Sequence, residues 1–350
     1  MRNTTIILLA LFLAGCGAAR LRQPNTADVP QGPEGVKGSI AIPAKDAPAT
    51  EPRILKNVIP AENFSDDTRM KGILNFLASD ELKGRDSGSE GIEKAALFIE
   101  NIFKQNNIAP YFTTYRDTLS NFSKFAYNMV GVIEGNDATL RGEFIIIGAH
   151  YDHIGHAAPV NGDSIANGAN DNASGTSTVL ELARYFGNSR SNKRSLIFAL
   201  FSAEEKGLLG SRHLANRLKA RDLNLYAMLN FEMTGVPLVN RDYFMYVSGY
   251  NRSNLAEVSN LYAGENLIGF LPTAEELNLF MRSDNYPFHE IFTVPSQTYC
   301  TFDFTNFDHY HKVGDEASLM DFEHMARVVN KMIPVVEGIA NAPAKEIKYH

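Results

Sequence analysis

From about residue 64 the chain alternates two hydrophobic periods. Residues 66–78 repeat apolar side chains every three to four positions behind an acidic first turn, which predicts a helix. A second helix is predicted over 89–106, with Ala95, Phe98, Ile99 and Ile102 on one face. Short runs of β-branched and aromatic residues predict strands at 126–134, 143–148, 195–201, 225–231 and 243–247. Further helices are predicted at 173–186, 208–218, 251–262 and 321–338. Cys300 falls at the end of another strand-like segment and reads as a packed small residue. Such alternation argues for the α/β class: a three-layer α/β/α sandwich around a central mixed, mostly parallel twisted sheet. No internal repeat is visible, and nothing between 107 and 143 reads as a separate inserted domain.

The start of the chain follows another pattern. Met1-Arg2-Asn3 is a short positive start, Ile6 to Leu13 is apolar, and Leu13-Ala14-Gly15-Cys16 closes the run. That run is too short for a spanning helix and predicts a signal peptide. Small residues before a cysteine resemble a bacterial lipobox, in which the cysteine is lipidated. Residues 1–16 are therefore expected to be a lipoprotein signal peptide. Residues 17–60, rich in Pro, Gly, Ala and Asp, are expected to be a flexible tether. Residues 61–345 would form the folded domain. The expected location is exported and lipid-anchored through Cys16 to a bacterial membrane, at the periplasmic face or cell surface.

Composition narrows the function. With 350 residues, 44% apolar and 21% charged, the chain reads as an ordinary globular protein. Its net charge of −7 argues against nucleic acid as a partner, which calls for clustered Lys and Arg. Cys16 and Cys300 are the two cysteines, so lipidation of Cys16 would leave no intramolecular disulfide. No signal for oligomeric state stands out.

Acids and histidines recur just after the predicted strands. His150 and Asp152 would point the same way if their strand continues, although a surface His beside an Asp looks similar in sequence. In Gly168-Ala169-Asn170-Asp171-Asn172-Ala173-Ser174-Gly175, small residues permit close backbone approach ahead of a helix. An Asp or Asn helix cap is the plain reading there; Asn172 or Ser174 could cap while Asp171 faces a site. Glu204 and Glu205, at the end of an extended strand, would point to opposite sides. They also suit the start of a helix as two solvated acids. Residues at the carboxyl ends of neighbouring parallel strands converge on one crevice, which would gather these groups.

Taken together, AHYD at 149–152, GANDNASGT at 168–176, EEKGLLGS at 204–211, SDNYPF at 283–288 and YHKVGDE at 310–316 resemble the M28 zinc peptidases. The resemblance runs from about residue 64 to 340 and includes LASDELKGRDSGSEG at 77–91. It implies two zinc ions per chain. His150 would bind the first and Asp152 would orient that ring. Asp171 would bridge both ions, and Glu205 with His311 would complete the second. Glu232 would complete the first, although most relatives carry Asp there. Glu204 would be the general base, and Tyr310 would donate to the oxyanion. The family also has a cis peptide after the bridging Asp, here Asp171–Asn172. Asp284 and Asn285, the latter where relatives often have His, are expected to shape the substrate mouth.

The implied activity is hydrolysis of the first bond of peptides with free N-termini. An alternative is a glutaminyl-peptide cyclase, which shares the fold with a single zinc; another is a catalytically silent binding protein. Among the other histidines, His213, His289 and His324 read as surface or packing residues on helices. His153 and His156 are expected to line the entrance.

Overall fold

A computed structural model of the protein describes residues 63–350. The expected signal peptide, tether and Cys16 lie outside the described residues. In chain order the elements are α1 (Asp67–Leu77), α2 (Glu90–Gln105), β1 (Ala109–Pro110), β2 (Arg116–Thr118), β3 (Tyr127–Ile133), β4 (Phe144–His150), β5 (Gly155–Val160) and β6 (Asp163–Ala166). There follow α3 (Gly175–Ser189), β7 (Ser195–Phe201), α4 (Leu209–Lys219), β8 (Leu225–Glu232), β9 (Met245–Val247) and α5 (Leu255–Ala263). The chain closes with β10 (Ile268–Gly269), α6 (Pro272–Glu276), α7 (Asn285–Phe292), β11 (Ser296–Cys300) and α8 (Phe322–Asn341).

The main sheet runs β1-β3-β7-β4-β8-β11-β9-β10, with β2 also paired to β3. Its centre, β7-β4-β8-β11, is parallel. On either side β3 and β9 pair antiparallel to it, so the sheet is mixed as expected. The chain leaves β4 for β7 on one flank and then returns to β8 on the other. A reversal of this kind opens a crevice at the carboxyl ends of the strands.

Strand alternation divides the core into two layers. Ile145, Ile147 and Ala149 of β4 face the cluster built with α1, α2, α3, α5 and α8. Ile146, between them, faces the cluster built with α4 and α7. Because both faces are covered, β7 (SLIFALF) is buried at every position and reads as an unbroken apolar run. The closing helix α8 buries Met325, Val328, Val329, Met332, Ile333 and Val336, and Asp321 caps it by accepting from the His324 backbone N–H at 2.8 Å.

Differences from the sequence reading sit at ends and loops. The helix expected from 173 starts at Gly175, because 169–174 form a separate tight turn. The helix expected from 251 starts at Leu255. Segments without a hydrophobic period carry the β5–β6 hairpin and, further on, β10 and α6.

Candidate active site

Three parallel strands deliver the first groups. His150 is the last residue of β4 and Glu232 the last of β8. Glu204 and Glu205 follow β7 but are not extended: the strand stops at Phe201, Ala203 takes φ 56°, and Glu204 O accepts from the Gly207 and Leu208 N–H groups at 2.9 Å. The turn, rather than strand alternation, gives the two acids different neighbours. Glu205 meets His153 at 2.9 Å and His311 at 3.2 Å. Glu204 instead feels the charges of His150, Glu232 and Asp284.

Asp171 is held from several sides. The Asp171–Asn172 peptide bond is cis. Asp315, fully buried, accepts from the backbone N–H of Asn170 at 2.7 Å and of Asp171 at 3.0 Å. Asn172 Oδ1 accepts from the N–H of Gly175, the first residue of α3, at 3.0 Å, and the same oxygen accepts from Met233 N–H at 3.0 Å. That side chain therefore ties the Asp171 turn to the residue after Glu232. Gly168 adopts φ 58°, and a Cβ there would stand 2.5 Å from the His153 ring. With these restraints Asp171 Oδ1 lies 3.3 Å from His150 Nε2, and Oδ2 lies 3.1 Å from His311 Nε2.

His150 Nδ1 lies 3.1 Å from the backbone carbonyl of Asp152, against 3.7 Å to its carboxylate. The orienting contact expected of Asp152 thus comes mainly from its main chain. Its carboxylate accepts from Ser87 Oγ at 3.1 Å and from Glu204 N–H at 3.2 Å. Nε2 faces Asp171 and has no hydrogen-bond partner among the described residues. Glu232 Oε2 is likewise buried and unpartnered.

Electrostatics report the same crowding. Burial opposes a charge on His150, yet the carboxylates of Glu204, Asp171 and Asp152 raise its pKa well above normal. Burial would raise Asp171, but the contacts from His150 and His311 pull it below the usual carboxylate range. Contacts with Asp171 and Glu205 push His311 up to about 10. Desolvation, reinforced by like charges, raises Glu204 well above normal and Glu232 to about 7. Acids crowded around histidine ring nitrogens are the donor chemistry of zinc, and a bound cation would relieve repulsion that protons otherwise relieve. One ligand atom from each of His153, Asp171, Glu205 and His311 lies within 4.8 Å of the others. The residues present fit a metal.

Two positions differ from the sequence expectation. Asp284 and Asn285 are fully buried, not at the mouth. Asn285 donates to the carbonyls of Phe280 and Ser296 and accepts from Thr298, so it pins the start of α7. Burial lifts Asp284 to about 7, with Asp152 and Glu232 as acidic neighbours. His153, expected at the entrance, is fully buried against Glu205. Its signal was present as the second His of His-Tyr-Asp-His. Asp315 was missed because a single acid after a Gly carries no period. Beside Glu232 a cleft enclosing about 480 Å³ is walled by Met233, Tyr246, Arg282, Phe302 and Tyr310. Tyr310 stacks on Phe302 and on the His311 ring, whose centroid is 4.0 Å away.

Residues 128–336 match peptidase family M28. The chain belongs to this family. A probable zinc metalloprotease of Pyrenophora teres f. teres is 38% identical over 116 residues, covering 32% of this chain and 24% of that protein. Aminopeptidase YwaD of Bacillus subtilis is 34% identical over 151 residues, covering 42% of this M28 chain and 30% of the relative. These matches span less than a third of either curated relative. The Legionella pneumophila LapA aminopeptidase structure superposes with a TM-score of 0.64 at 22% identity, over 81% of this chain and 74% of that one. That likeness establishes the M28 fold.

Proposed function

We propose that this chain is a zinc-dependent aminopeptidase that holds two metal ions and removes residues from the free N-termini of peptides. The observation that carries the reading is the divided carboxylate of Asp171, one oxygen facing His150 and the other His311, at 3.3 and 3.1 Å. His150, Asp171 and Glu232 would hold the first ion; Asp171, Glu205 and His311 would hold the second. Glu232 is a longer arm than the Asp of most relatives, and its buried, unpartnered Oε2 supports it as a ligand. The names of the curated relatives, a zinc metalloprotease and an aminopeptidase, support the same chemistry.

Zinc bound there would supply Lewis acidity, lowering the pKa of a water and polarising the scissile carbonyl. Glu204 takes the proton of the attacking water and delivers it to the leaving amine. Tyr310, whose pKa burial raises, stays protonated at neutral pH and donates to the developing oxyanion. The Asp152 main chain holds the His150 ring. Glu232 lines the cleft, and its carboxylate is the acidic group there that can meet a cationic amino terminus.

Metal analysis combined with peptide digestion tests this. Two zinc ions per chain, and release of amino acids from unblocked but not blocked peptides, are expected. One ion with cyclisation of N-terminal glutamine would replace the reading by the cyclase alternative; neither metal nor turnover would leave a binding protein. We also propose export and lipid anchoring through Cys16, with 17–60 as tether and 61–345 as the catalytic domain. The apolar run ending in Leu13-Ala14-Gly15-Cys16 supports this. Loss of fatty-acid labelling in Cys16→Ala is the expected result.

A further inference from the structure

We propose that His153 is a positioning residue for the second metal: its Nδ1–H holds Glu205 Oε1, so that Oε2 is presented to the ion. This rests on the two-metal reading above. The His153 side chain is fully buried, and Nδ1 lies 2.9 Å from Glu205 Oε1. The other oxygen of the same carboxylate lies 3.2 Å from His311 Nε2, which is in turn 3.1 Å from Asp171 Oδ2. Those separations approach the roughly 3.3 Å edge of a tetrahedral donor set with zinc bonds of about 2.0–2.1 Å. His153 Nδ1 is farther from Asp171 Oδ2, at 3.8 Å, and closes on Glu205 Oε1 rather than on the Oε2 that meets His311.

The ring has little freedom. The His153 backbone N–H donates to Arg85 O at 3.3 Å, and the Gly168 backbone approaches the ring too closely to admit a Cβ. The ring also meets His311 edge-on, with centroids 5.6 Å apart. A carboxylate restrained at one oxygen cannot rotate away from an ion at the other. Loss of such an outer contact typically lowers metal affinity about 10–100-fold.

The test uses the whole chain, stripped of metal and titrated with zinc and with cobalt(II) against a chelator. His311→Ala identifies the second site by abolishing it. His153→Ala is expected to lower affinity at that site about 10–100-fold, with the other site unchanged. The cobalt(II) absorption of the second site should keep its shape, since no ligand has been removed. His153→Gln, which can still offer an N–H to Glu205, should recover much of the affinity; His153→Phe, which offers none, takes the place of His153→Ala if that variant does not fold. Unchanged affinity in the variant that offers no N–H to Glu205 overturns the inference. So does a cobalt(II) band altered as by loss of a nitrogen donor, which would make His153 a ligand. A wild-type chain binding fewer than two ions fails the two-metal reading itself, which is seen before any variant is compared.

Discussion

His150 Nε2 and Asp171 Oδ1 lie 3.3 Å apart, both buried, without the alignment of a hydrogen bond. With His150 Nδ1 committed to the Asp152 carbonyl, two lone pairs face each other across that gap. Either a proton or a cation must stand between them. On the proposed two-metal site, Asp171→Ala should remove a ligand from both ions at once. Metal analysis of the purified variant should show loss of both, whereas His311→Ala should lose only one. Retention of two tightly held ions by Asp171→Ala would sink its bridging role.

Glu204→Gln keeps the shape of the side chain and removes its basicity. We expect kcat to fall about 10²–10⁴-fold with metal content intact. Steady-state kinetics beside metal analysis separates this from a folding defect, and normal turnover would refute the assignment of Glu204 as base.

Chelation should abolish amino-acid release, and added zinc should restore it. If Glu232 completes the first ion as proposed, Glu232→Ala should need a higher zinc concentration for half-recovery, by about 10-fold or more. Equal zinc requirements for variant and wild type would exclude Glu232 from the ligand set.

Arg85 is fully buried and donates to the carbonyls of Tyr151, Asn167, Gly168 and Leu77. It thereby joins the segment after His150 to the one before Asp171. Removing a partner from buried polar groups costs about 1–3 kcal/mol each, not additively. Arg85→Ala should lose at least about 3 kcal/mol in urea unfolding. A loss under about 1 kcal/mol would show that water replaces the guanidinium.

His324 is buried against Phe244, and neither ring nitrogen has a partner among the described residues. Desolvation holds its pKa down to about 4. The unfolded chain takes up this proton first as pH falls below about 6.5, so stability is lost between there and about 4. The most this group can remove is on the order of 3 kcal/mol. His324→Phe should narrow the difference in unfolding free energy between pH 7 and pH 4.5; an unchanged difference would assign the acid sensitivity to the carboxylates instead.

Much of this was legible along the chain, for a physical reason. Core strands and helices must repeat their apolar positions at the period of the backbone, so β7 and α8 announced themselves. The α/β class, the family and the groups beyond the strand ends followed from local pattern and motif order. Glu204 and Glu205 were found as a pair, but their divergence came from a turn at Ala203 and not from strand alternation. The inward placement of His153 and Asp284, the grip of Asp315 on the Asp171 turn, and the use of the Asp152 carbonyl depend on contacts between distant segments. No period records such contacts. The sequence by itself determined which donors exist and roughly where each strand ends. Only the tertiary structure decided which oxygen of Asp171 or Glu205 faces which histidine, because that choice rests on side-chain directions fixed by packing and hydrogen bonds across the crevice.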